Sequence, residues 1–219
     1  MSDTDLSSSV LQSGTSSENS ALFGSTMELV ALTIGFFALG AYLGRDLSVG
    51  WGWAFYIVSF VLLIGMRFAV RAEALTATAL LFGFGTTIGL ATGPVVAYYA
   101  STNPKIVWQA GGATALFMAG LGTVGYAVRQ DLSRLARLAF WLLLGLIIFG
   151  VVTIFTQIPN ASLIYSVLGL VVFAVLTVVD FQRLRTAGRG ASAPLMAASI
   201  FLDALNVFLF FLNIFNRRD

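Results

Sequence analysis

Two aspartates interrupt apolar sequence near the end of the chain. Asp180 closes a run that begins Tyr165-Ser166-Val167-Leu168-Gly169, and Asp203 lies within Ile200-Phe201-Leu202-Asp203-Ala204-Leu205-Asn206. A carboxylate placed mid-helix in a bilayer costs about 2.5–3.5 kcal/mol on insertion scales, so each needs a partner, water or a proton. Two such groups that meet cannot both ionise cheaply in a poorly solvated site, and they share a proton. Deprotonated, the pair offers hard oxygen ligands of the kind calcium takes. The chemistry available is therefore proton exchange and cation binding. Histidine and cysteine are both absent from the 219 residues, which excludes the usual metal ligands, Ser-His and Cys-His nucleophiles, and disulfides.

At 100° per residue, Ser166, Thr177 and Asp180 fall on one helical stripe, and Asp203, Asn206 and Asn213 fall on another. Thr177, Asn206 and Asn213 are thus candidate pore-lining residues beside the Asp180–Asp203 pair. Arg67, which ends Leu62-Leu63-Ile64-Gly65-Met66-Arg67, belongs to the same side of the membrane as Asp180 and is the candidate latch. A charged Asp–Arg latch competing with a protonated carboxyl–carboxylate pair makes a pH switch without histidine. Each residue also has a plainer reading: a snorkelling interfacial arginine, a helix-end acid, and a structural acid satisfied inside the bundle.

These side chains need helices to hold them. Hydrophobic residues make up 58% of the chain and charged residues 10%, against roughly 25% charged in a soluble domain, so this is a membrane protein. Seven apolar runs, 24–43, 49–66, 75–99, 106–128, 138–157, 161–181 and 195–215, each approach the roughly 20 residues that span a bilayer as helix. The expected fold is an all-α bundle of seven transmembrane helices. Short polar breaks between them make sequence neighbours antiparallel.

Arg67, Arg71, Arg129, Arg134, Arg137, Arg183, Arg185 and Arg189 fall on the side of the N-terminus, and Arg45, Lys105, Arg217 and Arg218 on the other. The N-terminus is expected in the cytoplasm. Seven spans then put the C-terminus outside unless the last segment is re-entrant. Residues 1–20, Ser/Thr-rich with three acids and no Lys or Arg, read as a disordered tail that is neither signal nor transit peptide, leaving 21–219 as the membrane domain. The formal charge of +2 and the lack of basic–aromatic stretches exclude a nucleic-acid binder. Gly85, Gly89 and Gly93 recur every four residues, as in closely packed membrane helices, and Pro94 is expected to kink its helix.

Several of these segments together resemble the transmembrane Bax inhibitor motif family over about residues 27–215. The resemblance rests on Tyr165-Ser166-Val167-Leu168-Gly169 leading to Asp180, on Leu202-Asp203-Ala204-Leu205-Asn206-Val207-Phe208, and on Arg129-Gln130-Asp131-Leu132-Ser133. Met66-Arg67 and Gly93-Pro94-Val95 extend it. It implies a seven-helix bundle with the last helix enclosed by the other six and a pH-sensitive calcium leak, with Asp180 and Asp203 as the diaspartyl sensor and Arg67 as latch. Two departures stand out. Val179 occupies the place where many relatives carry Tyr, and nothing between Asp46 and Arg67 is charged where some relatives have an acid.

Two functions follow as expectations. One is a proton-gated cation leak, with calcium as the transported ion and no resident cofactor, in a prokaryotic plasma membrane. The other is a protein that binds and restrains a membrane partner such as a quality-control protease or a cell-death regulator. Enzymatic function is not expected: two membrane aspartates suggest an intramembrane protease, but the YD and GxGD contexts of such enzymes are missing.

Overall fold

The computed structural model describes residues 3–156, 158–187 and 191–216. These form seven helices, α1 (Asp3–Leu43), α2 (Val49–Ala72), α3 (Ala74–Thr102), α4 (Pro104–Ala127), α5 (Ser133–Phe155), α6 (Ala161–Thr186) and α7 (Ala193–Asn216). Six are long and apolar enough to cross a membrane. The exception is α4, where Lys105, Gln109 and five glycines dilute the apolar content. At 1.5 Å per residue α4 is nevertheless as long as α2 and α7, about 36 Å, and it packs along α6 and α7. The first helix reaches back to Asp3, through the Ser/Thr-rich stretch whose composition implies a disordered tail. Once an apolar span has nucleated a helix, each further residue adds a hydrogen bond at little cost. Met1, Ser2 and the terminal Arg217–Asp219 lie outside the described residues, as do Gln157 and 188–190.

The helices alternate in direction. Phe23 near the start of the α1 span meets Tyr126 near the end of α4, edge to face at 5.0 Å. At the opposite end, Leu212 of α7 packs on Ile106 and Ala110 of α4. Helix α7 therefore crosses the full bundle without turning back, and its C-terminal end lies opposite the arginine-rich connections. It is also the most enclosed helix: half of its apolar window is buried, against 11% in α2 and α5. Its backbone runs beside those of α1, α2, α3, α4 and α6, while that of α5 runs beside α6 alone. The last helix is thus central, its backbone flanked by five helices, while α5 joins it only through side chains, with Leu146 in one buried cluster with Val207 and Phe210.

Glycines set the closest approach. Gly85, Gly89 and Gly93 of α3 lie against Thr33, Phe37 and Ala41 of α1, and Gly40 and Gly44 return the contact. A Cβ on Gly93 would lie 2.6 Å from the Ala41 carbonyl oxygen. Helix α3 continues through Pro94. Proline cannot donate to the carbonyl four residues back, which is that of Leu90, and Gly44 fits over this carbonyl. The outer surface is apolar, with Trp51, Phe60, Phe68, Trp108, Phe140 and Trp141 all exposed. Water would not tolerate such a continuous surface; lipid does.

Candidate functional site

The candidate site is the seam between α6 and α7. Three contacts fix one antiparallel register: Ser166 Oγ lies 3.2 Å from Asn213 Oδ1, Gly169 receives the Phe210 ring, and Ser199 Oγ donates to Asp180 Oδ2. Each step forward along α6, three residues and then eleven, is matched by the same step back along α7. In that register Asn206 falls across from Phe173. Asp203 falls one helical turn, about 6 Å, deeper than Ser199.

Asp180 and Asp203 are both buried, with 8% and 4% of their surfaces exposed. Asp180 has two partners, the Ser199 hydroxyl and the Arg183 guanidinium, whose Nη1 is 3.3 Å from Oδ1. Asp203 lies beside Thr177 and within electrostatic reach of Asp180 and Arg183. Its Oδ2 has no hydrogen-bond partner among the described residues. A buried carboxylate oxygen without a donor calls for a proton or a cation. The two polar stripes touch at Ser166–Asn213 and at Asp180–Ser199, and both acids are buried along this seam.

The other predicted residues divide. Thr177 is fully buried at the pair; its hydroxyl is 2.7 Å from the Phe173 carbonyl oxygen and 3.7 Å from the Met118 sulfur. Asn213 is half-buried at the far end of the seam, against Ser166. Asn206, also half-buried, turns its amide back to donate to the Leu202 carbonyl at 2.8 Å. Between the pair and the Ser166–Asn213 contact the seam is closed by apolar side chains, chiefly Phe173 and Phe210, whose ring centroids are 5.8 Å apart.

Arg67 is not brought to the site. It is exposed towards the end of α2, a helix that packs on α3 and α7 but not on α6, and the Asp180 carboxylate is held by Arg183 and Ser199 rather than by Arg67. Arg183, three residues after Asp180 on the same helix, is the cation that pairs with Asp180. Ser199 is the other residue that sequence reasoning missed. Its signal was present: Ser199, Asp203, Asn206, Phe210 and Asn213 follow alternating four- and three-residue steps, the spacing of a helix–helix seam.

Among the described residues, no three Asp or Glu side chains cluster as a metal site. The two carboxylates and the Ser199 and Thr177 hydroxyls carry six oxygens between them, the lower end of the six to eight that calcium takes. A cavity of about 1440 Å³ lies elsewhere. It is an apolar recess lined by α1, α3, α4 and α7 with Phe181 of α6, and Trp108, Met118, Phe201 and Phe208 are on its walls; neither aspartate lines it.

An all-helical bundle with an apolar outer surface and two acids enclosed at its centre is a multi-pass membrane protein. Residues 20–219 match the family model described as "Inhibitor of apoptosis-promoting Bax1", and the chain belongs to this Bax inhibitor motif family. Its relatives include an uncharacterized protein of Chlamydia muridarum, 30% identical over 88% of this chain and 87% of the relative. A second, from Deinococcus radiodurans, is 32% identical over 69% of this chain and 68% of its own length. An uncharacterized membrane protein of Streptococcus pyogenes serotype M1 is 24% identical over 74% and 73% of the two chains.

Proposed function

We propose that the protein is a pH-sensitive cation leak, with calcium as its ion, in which Asp180 and Asp203 form the sensor and the ion's foothold. The observation that carries this reading is the buried Asp203, one oxygen unpartnered, beside a second buried aspartate that is already tied to Ser199 and Arg183. Membrane-depth acids that are not neutralised by a dedicated partner mark proton and ion paths. With Asp180 ionised, Arg183 and Ser199 hold it at the arginine-rich end of the seam. A change in the proton count of the pair alters that hold and the affinity for a cation together. The apolar stretch around Phe173 and Phe210 is the barrier a conducting state must part.

The membrane proposed is a bacterial plasma membrane with the N-terminus in the cytoplasm. Support comes from the excess of arginine on that side and from the bacterial sources of the relatives. The test is calcium uptake into proteoliposomes measured across pH. Wild-type flux should vary steeply with pH, and Asp203→Asn should flatten it. A profile kept intact in the variant would remove the sensor role.

A second reading, restraint of a membrane partner, draws its support from the apolar recess between α1 and α4. Copurification of a partner that is lost on deleting residues 1–20, with no flux from the purified protein, would favour it. Peptide cleavage abolished by either Asp substitution would instead reveal an enzyme.

A further inference from the structure

A second cavity, about 670 Å³, lies at the arginine-rich end of the bundle, between the α4–α5 connection, the first turns of α5 and the last turns of α6. Arg129, Arg137 and Arg183 line it, with Asp131 as its one acid. That acid is already engaged: Asp131 Oδ1 accepts from the Ser133 backbone N–H at 2.9 Å and from the Ser133 hydroxyl. These bonds hold the Asp131 carboxyl below the usual aspartate range. The walls are pinned rather than loose. Gln182 Nε2 donates to the Gln130 carbonyl at 2.6 Å, and Arg185 Nη2 donates to the Val128 carbonyl at 2.5 Å, so α6 holds the connection in place. The first turn of α5 borders the same space, with its Ser133 N–H already taken by Asp131.

The geometry points to a site for the phosphate of an anionic phospholipid headgroup, seated between Arg129, Arg137 and Arg183. Three arginines line one cavity, and guanidinium forks match phosphate oxygens. A lipid fits better than a free anion because the same cavity continues onto Ala136 and Phe140 of α5, and Phe140 is 58% exposed on the apolar outer surface. The headgroup then sits at the end of the span while the acyl chains run along α5.

Arg183 is shared between this cavity and Asp180. A bound phosphate draws it outward, and, on the reading of Asp180 as part of the gate, loosens the latch. Anionic lipid thereby becomes a regulator of the leak. Binding itself does not depend on that reading and is measured without flux.

The experiment is native mass spectrometry of the purified full chain with phosphatidylglycerol and phosphatidylcholine of matched acyl chains. Wild type should retain phosphatidylglycerol preferentially, and Arg129→Gln/Arg137→Gln should lose about tenfold or more of that preference. Arg134→Gln, a neighbouring arginine outside the cavity lining, should keep it. Should the double variant misfold, the exposed Arg137→Gln alone carries the same comparison. Equal retention of the two lipids by wild type, or an undiminished preference in the arginine variants, would overturn the site. Inorganic phosphate should not displace the lipid at millimolar concentration; full displacement would show a free-anion site instead.

Discussion

The seam between α1 and α3 and the seam between α6 and α7 answer the same packing problem with opposite materials. On α1 and α3 the contact is made by glycine against backbone, and the buried hydroxyls of Thr33 and Thr92, with that of Thr86, each donate to a carbonyl of their own helix. None of these three hydroxyls reaches across the gap, although the buried Thr26 hydroxyl of α1 has no partner among the described residues. On α6 and α7 the polar groups reach across it, Ser199 to Asp180 and Ser166 to Asn213, and one carboxylate oxygen is left over. Lipid gives no hydrophobic push between helices, so close backbone contact is what holds a membrane bundle together. The first seam supplies that contact. The second can then carry groups that cost stability and respond to protons.

The contrast can be broken from either side. The largest effect is expected at Gly89, where any side chain would run into the Phe37 carbonyl and the backbone of Gly40 and Ala41. Gly89→Leu should cost about 3 kcal/mol or more, in the upper range for overpacking, and abolish monodisperse protein in detergent. The matching change on the other seam, Phe210→Ala, should leave a folded protein with reduced thermal stability, since a core Phe→Ala costs about 3–5 kcal/mol. It should raise calcium flux severalfold at every pH by removing the apolar barrier. A stable Gly89→Leu protein would show that the α1–α3 contact is dispensable.

Smaller effects separate the two arginines. Arg183 is 60% exposed at its side chain, so its pair with Asp180 is worth no more than about 1 kcal/mol. Arg183→Gln should move the midpoint of the pH–flux profile by less than about one unit. Arg67→Gln should leave the midpoint in place, and a shift in that variant alone would restore Arg67 as the latch. The smallest effect is expected at the α4–α5 connection. Asp131 is held below the ordinary aspartate value of 3.8 by the Ser133 bonds, so its stabilisation is present above that value and is lost as pH falls through the lower folded one. Thermal melting below about pH 4 should therefore weaken slightly more in wild type than in Asp131→Asn.

What could be read from sequence follows from how local each signal is. Helix existence, the glycine stripe and the stripes bearing Asp180 and Asp203 depend on periodicity within one segment, and the structure carries all three. The latch depends on which helices touch. Arg67 and Asp180 share one end of the bundle, but α2 and α6 are not neighbours, and no periodicity reports that. The same limit hid the position of α5, whose backbone lies beside α6 and not beside α7. Ser199 was legible in principle, as a member of the seam spacing on α7, but a serine among apolar residues attracts less notice than an acid. The α1 extension to Asp3 runs against composition, because helix propagation from a strong span is a property of the chain rather than of the Ser-rich stretch alone.

The central claim is that Asp180 and Asp203 act as one titrating unit. The most direct measurement is the pH–flux profile of calcium in proteoliposomes for wild type, Asp180→Asn, Asp203→Asn and the double variant. For a coupled pair, each single substitution should remove most of the pH dependence and the double should remove little more. Independent, additive losses, or a wild-type profile in either single variant, would contradict it.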